Sequence, residues 1–452
     1  MAINKYTYRK PLKIDWLKNI PDHWKEVRLG SLFNQRKEKV SDTDYPPLSV
    51  TKNGVLPQLE NAAKSNDGDN RKLVLKGDFA INSRSDRKGS SGVSIYDGSV
   101  SLIYIVLEPV SIEPRYSEYL LKSHYFKEEY YRYGRGIVED LWTTRYSEMK
   151  NMIIPSAPKP EQTAIANFLD YKLEKIDRFI SKKKQLIKLL NEQKAAIINQ
   201  AVTKGLNPNA KMKPSGIEWL GDIPEHWEVI KLTGVCSFVR GNSSFKKDEL
   251  LSNGKYVALQ YGKTYKVDEV NEEYKFYVND EFYKDSQIVN YGDVIFISTS
   301  ETIEDLGHSA FYSRNDLGLL GGEQMLLKPN NDIVNEKYLY YSSKVFSKEL
   351  QKYGTGVKVY RFNRNDLKTI YTSLPTIQEQ QQIVNYIQTE TTKVAKTIST
   401  IEKEIILVEE YKTALIAEAV TGKIDVRDFE IPQTETPLAM VAEEAVSYNK
   451  EN

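Results

Sequence analysis

Histidine and cysteine are the side chains that most often carry catalytic or metal chemistry, and this 452-residue chain has four of the first and one of the second. His23 and His226 share one context, "PDHW" and "PEHW". A histidine beside a tryptophan in a segment used twice reads as a packed core or turn residue. His124 lies in a helical stretch with Tyr125 and Phe126, and His308 in a Gly-rich loop, with no acidic or cysteine partner at metal-ligand spacing. Cys236 alone excludes a disulfide framework and a Cys-rich zinc site, and fits a reducing compartment. Methylation of adenine needs a Gly-rich cofactor loop and an Asn/Asp-Pro-Pro-aromatic motif for the flipped base. The nearest string, Asp44-Tyr45-Pro46-Pro47-Leu48, has those letters in the wrong order, and the GxG at Gly134 and Gly136 follows no βαβ strand. Both read as turns. No GxxxxGK(S/T) phosphate loop is present, which argues against ATP hydrolysis. Neither a catalytic constellation nor a metal site emerges, and no cofactor is expected on this chain.

The elements that would position any site come in pairs. "IDWLKNIPDHWKEVRL" (14–29) returns as "IEWLGDIPEHWEVIKL" (217–232), an offset of 203. "GDFAINSR" (77–84) aligns with "GDVIFIST" (292–299) at 215, and "YGRG" (133–136) with "YGTG" (353–356) at 220. "EQTAIANFL" (161–169) aligns with "EQQQIVNYI" (379–387) at 218. Offsets that grow and then settle mean two homologous halves with insertions inside their globular parts. The globular parts have short apolar runs bounded by Gly, Ser, Asp and Asn, which read as strands and turns with a few helices. The doubled Trp-Pro-His-Trp segment is expected to brace each globule, packing Trp16 with Trp24 and Trp219 with Trp227.

Each globule is followed by a helical stretch, about 161–204 and 379–422. Leu173, Ile176, Ile180, Ile187, Leu190 and Ile197 fall on one heptad seam, and Val394, Ile398, Ile401, Ile405, Val408 and Leu415 on the other. Pro160 and the Thr376/Glu379 capping box mark the starts, and Gly205 and Gly422 the stops. Residues 161–203 carry 8 basic and 5 acidic side chains, and 379–421 carry 4 and 7. Equal lengths and opposite charges favour antiparallel pairing within one chain; the alternative is that the charges are simply a solvated face.

The net charge of +1 conceals an asymmetry, since 1–160 carries 26 basic and 20 acidic residues while 379–452 carries 7 and 14. A nucleic-acid partner is permitted but not required by this. No apolar run approaches a membrane span and no signal peptide opens the chain, so a cytoplasmic protein without a membrane partner is expected.

Taken in order, the WLxxIPxHW openings, the paired globules, the EQ helices with Ile-rich heptads and "AVTGKIDVR" (419–427) resemble the specificity subunit of type I restriction-modification systems. The resemblance covers nearly the whole chain except the acidic tail 430–452. It implies a mixed α/β (α+β) fold: two homologous target-recognition domains separated by two long antiparallel coiled-coil helices, a pseudo-twofold duplication. The expected segments are 1–158, a first recognition domain; 159–205, a first helix; 206–375, a second domain with lead-in linker 206–216; 376–422, a second helix; and 423–452, an acidic tail. It further implies that each domain reads one half of an asymmetric, bipartite double-stranded DNA site, and that the helices set the spacer. Two modification (methyltransferase) subunits would use S-adenosylmethionine to methylate adenine N6, and restriction subunits would add an ATP- and Mg-dependent translocase and nuclease for phage defence. The chain itself would be noncatalytic.

Under that resemblance the candidate DNA contacts in the first globule are Arg84, Arg87, Lys88, Ser90 and Ser91 in "NSRSDRKGSSG" (82–92), and Arg135, Thr143, Thr144 and Arg145 in "YGRGIVEDLWTTRY" (133–146). In the second they are Ser298, Thr299 and Ser300, weakened by the acidic "STSETIEDLGHS" (298–309), and Lys358, Tyr360, Arg361, Asn363 and Arg364 in "YGTGVKVYRFNR" (353–364). Two other classes stay open: a coiled-coil scaffold with no DNA role, and a fused methyltransferase with divergent motifs.

Overall fold

The computed structural model describes residues 10–11, 17, 19–58, 68–84, 89–136, 142–356, 358–432, 441 and 444. The chain folds as two compact units, one of Met1–Gln185 with Ile401–Asn452 and the other of Leu186–Thr400. Among the described residues five helices exceed eight residues: α1 (Pro114–Lys122), α2 (His124–Arg132), α3 (Lys159–Lys204), α4 (Glu336–Gln351) and α5 (Ile377–Val420). The division into units therefore runs across α3 and α5, and each unit owns the start of one long helix and the end of the other.

The first unit is built on an antiparallel sheet in the order 91–93, 79–82, 104–109, 33–36. The second has the counterpart order 236–240, 324–329, 294–297, 309–312, extended by a parallel strand at 269–270. A two-stranded ribbon joins 25–28 to 153–156 in one unit and 228–231 to 371–374 in the other, so the strand that precedes each long helix returns to the brace segment. The expected Gly-Asp turns are present in both. Gly77 and Gly292 adopt φ of 96° and 91°, where a side chain is strained. Asp78 accepts from the Leu75 amide at 2.8 Å and Asp293 from the Asn290 amide at 2.9 Å, closing each turn before its strand.

Antiparallel pairing of the long helices is visible within each unit. In the second, Ile198, Ala201 and Val202 at the end of α3 share one core with Ile383, Val384 and Ile387 at the start of α5. In the first, Lys183 pairs with Glu404 at 2.7 Å, and Lys412 with Asp177. Lys183 and Lys412 thus each meet an acidic residue of the facing helix. Leu173, Ile176, Ile180, Val394, Ile401, Ile405, Val408 and Leu415 are buried, and Ile187, Leu190, Ile197 and Ile398 are half-buried, so every seam residue lies on the covered face.

The doubled Pro-x-His-Trp segment is the joint of each unit. Trp24 is 1% exposed, and its indole N–H donates to Glu161 Oε1 at 3.0 Å while His23 Nε2 meets Glu161 Oε2 at 2.8 Å. His226 Nε2 meets Glu379 Oε2 at 2.9 Å beside the fully buried Trp227. The Glu of the "EQ" pair that opens each long helix therefore ties that helix to its brace. At Glu379 this gives the expected capping residue a second task, while the Thr376 hydroxyl accepts from the Glu379 amide at 3.3 Å. Trp219 packs against the core that contains Trp227; Trp16 lies outside the described residues. The stops complete the joints: Gly205 and Gly422 both adopt φ of 70°, and a Cβ would meet Trp227 in one case and Pro21 and Trp24 in the other. Each joint thus gathers the start of one long helix, the end of the other and a buried tryptophan. In the first unit the acidic tail also reaches a basic helix, with Lys172 Nζ 2.9 Å from Glu444 and Val441 buried.

Candidate nucleic-acid interface

Three stretches that align between the halves converge on the same backbone arrangement in each unit. In the first, Thr143 forms antiparallel bridges with both Arg84 and Arg135. Arg135 and Thr143 exchange main-chain hydrogen bonds of 3.2 and 3.0 Å, and the Thr144 amide donates to the Ser83 carbonyl at 2.9 Å. In the second, Arg361 is bridged by Thr299 and Thr355. Thr355 and Arg361 exchange bonds of 3.1 and 3.0 Å, and the Phe362 amide donates to the Ser298 carbonyl at 3.2 Å. The pairs Arg84/Thr299, Arg135/Thr355 and Thr143/Arg361 stand at offsets of 215, 220 and 218, those read from the repeats.

Arg84, Arg135 and Arg361 are exposed, as surface reading requires. Arg145 is exposed at the start of the short helix Tyr146–Met149. Near it the Ser147 hydroxyl holds the Glu148 carboxyl below its ordinary value, with Arg135 and Arg145 acting in the same direction. Lys358 and Arg364 are exposed and Tyr360 is half-buried. Arg87 and Lys88 lie outside the described residues.

Other candidates are corrected by burial. Ser90 and Ser91 are 6% and 0% exposed, because the strand Ser91–Val93 adds to the core sheet and takes them inside. Thr144 is 1% exposed and its hydroxyl donates to the Tyr130 carbonyl at 2.9 Å. Ser298, Thr299 and Ser300 are likewise buried; the Thr299 hydroxyl donates to Glu323 and that of Ser300 accepts from the Thr302 amide. Asn363 is exposed, but its Oδ1 accepts from the Asn365 amide at 2.8 Å as a helix cap. His308 is structural: its Nε2 lies 2.9 Å from the Val267 carbonyl and burial lowers its pKa.

Two residues at the second bridge escaped the sequence reading, Thr355 and Glu323. Glu323 opens the apolar run EQMLLKP (323–329), which reads as a strand; only its position opposite Thr299 and Arg361 exposes it, and no local pattern signals that. Away from the bridges, the second unit has a cleft of about 520 Å³. In its wall Asp268 accepts from Lys344 at 2.6 Å, and Lys344 and Lys194 outweigh burial to hold its pKa below the ordinary value. Among the described residues no group of three or more His, Cys, Asp or Glu could hold a metal ion, and no helix is long and apolar enough to cross a membrane.

The same backbone bridge thus recurs in both units and carries different side chains. Residues 224–409 match the family described as the type I restriction modification DNA specificity domain. Over 439 residues the chain is 25% identical to a putative type I restriction enzyme MjaX specificity subunit of Methanocaldococcus jannaschii, covering 91% of this chain and 94% of the relative. A type I restriction enzyme MjaVIII specificity subunit of the same organism is 24% identical over 432 residues, with 90% and 95% covered. A chain from a structure described as the basis of complex assembly and conformational transition of the type I R-M system superposes with a TM-score of 0.67 at 16% identity, covering 90% of this chain and 99% of that one. Residues 224–409 thus match the specificity-domain family, and over nine-tenths of its length the chain is similar to specificity subunits of type I restriction enzymes.

Proposed function

We propose that each unit presents one recognition domain to one half of a bipartite, asymmetric double-stranded DNA target, and that the long helices set the spacer and dock two modification subunits. The chain is noncatalytic and binds no cofactor. Methyl transfer from S-adenosylmethionine to adenine N6, and ATP- and Mg-dependent translocation and cleavage, belong to the modification and restriction subunits, in the cytoplasm. One observation carries this reading: the same backbone bridge, with its arginines exposed, recurs in both units with arginine and threonine exchanged. Backbone repetition gives two modules one way to meet a duplex, and unlike side chains give them unlike base preferences, just as paired readers elsewhere set half-site spacing by their own geometry.

The reading is tested on the chain reconstituted with its modification subunits. Binding should select a two-part sequence over scrambled duplexes, and log K should fall linearly with log salt as phosphate counterions are released. Binding without sequence preference would leave only the scaffold reading. S-adenosylmethionine bound by the purified chain alone would favour the fused methyltransferase.

A further inference from the structure

We infer that Glu323 and Arg361 act together as the base-reading pair of the second recognition domain, directed at the major-groove edge of a G·C pair. The inference rests on the DNA-reading function proposed above and names the chemistry of that same site.

Glu323 is the only non-glycine among the described residues with a positive φ, at 63°. It follows Gly321 and Gly322, and glycine would occupy its left-handed backbone without strain. Strained backbone is retained where the side chain has a task. The equivalent residue in the first unit is Ile103, a half-buried apolar side chain whose carbonyl accepts from the Ser83 hydroxyl at 2.6 Å. The fold therefore needs the carbonyl here, since the Glu323 carbonyl likewise accepts, from the Ser298 amide at 3.3 Å. It does not need the carboxylate.

That carboxylate is fixed in place. Its Oε2 accepts from the Thr299 hydroxyl at 2.5 Å, and its Oε1 lies 3.6 Å from an Arg361 guanidinium nitrogen. Both side chains remain open, at 61% exposure for Arg361 and 51% for Glu323. A carboxylate repels phosphate, so an arginine held beside one is poorly placed for the DNA backbone and better placed for a groove. There the forked donors of arginine match guanine O6 and N7, and a carboxylate accepts from cytosine N4. Guanine O6 and cytosine N4 are neighbours on the edge of one base pair, as the donor and acceptor are here. Among the described residues Arg84 and Arg135 form no close ion pair at their bridge, Arg135 acting on the Glu148 carboxyl only at longer range, so the close pair is particular to the second domain.

The test selects bound duplexes from a pool of random sequence, using the chain assembled with its modification subunits. Arg361→Lys keeps the charge and loses the fork; Glu323→Gly removes the carboxylate where the backbone favours glycine, so its thermal midpoint should not fall. Both should relax the preference for G·C at one position of one half-site by roughly tenfold to a hundredfold, with the other half-site and the salt dependence unchanged. An unaltered motif in both variants would overturn the inference, as would an equal loss on all sequences in the alanine variant Arg361→Ala with a salt slope smaller by about one, the mark of a phosphate contact. If the wild-type complex selects no motif at all, the sequence-reading function itself fails and this inference with it.

Discussion

The bridge of the first unit sets Arg84 and Arg135 about Thr143, whereas that of the second sets Thr299 and Thr355 about Arg361. The hydrogen bonds that build the two are main-chain bonds between equivalent positions; the side chains they display are exchanged, and the second adds Glu323. Duplication has thus kept the main-chain bonds and varied the side chains they carry. The joints differ in the same manner. Trp24 and Trp227 are both buried, yet the Trp24 indole N–H is held by Glu161 while that of Trp227 has no partner among the described residues.

The joints offer the largest way to break the comparison. Trp24→Ala and Trp227→Ala should each cost about 3–5 kcal/mol, as large core truncations do, measured by denaturant unfolding. Trp24→Phe should cost more than Trp227→Phe, because only the former leaves a buried acceptor unpaired; equal costs would show the joints to be equivalent. At the surface, Arg84→Ala and Arg135→Ala should each relax the half-site read by the first domain by about 1–3 kcal/mol and leave the second alone, checked by the bound-sequence selection.

A pH dependence sharpens the difference between the joints. Burial pushes the Glu161 carboxyl up to about 7, opposed by Arg427 and reinforced by Asp425. A carboxyl whose folded pKa lies above its ordinary value of 4.5 makes the folded state take up a proton between 4.5 and 7, so this contribution is full below 4.5 and lost as pH rises towards 7. Glu161→Gln should flatten that dependence in unfolding titrations; an unchanged slope would remove Glu161 as its source. The smallest effect should come from the exchange itself. The triple variant Arg84→Thr, Arg135→Thr, Thr143→Arg should melt within about 1 kcal/mol of wild type, as surface substitutions do, while its half-site preference changes. Loss of folding would mean that the side chains help to build the bridge.

Periodicity made the scaffold legible. The seams of α3 and α5, the glycine stops, the Gly-Asp turns and the aligned stretches all follow from spacing, which survives without knowledge of long-range contacts. The site was legible only in part. Arg84, Arg135 and Arg361 were read as outward-facing and are exposed, but Ser90, Ser91 and Ser298–Ser300 were read as outward-facing although strand continuation carries them inside. Which face a residue takes depends on register, and a slip of one residue reverses it. Glu323 was invisible because its contacts are with Thr299 and Arg361, 24 and 38 positions away in sequence.

The central claim is that each domain reads its own half of the target. Residues 1–158 should be replaced by the first domain of another specificity subunit, and N6-methyladenine mapped across the genome of a host that also supplies the modification subunit. A motif altered in one half and intact in the other is predicted. A motif altered in both halves, or methylation without any motif, would contradict the account.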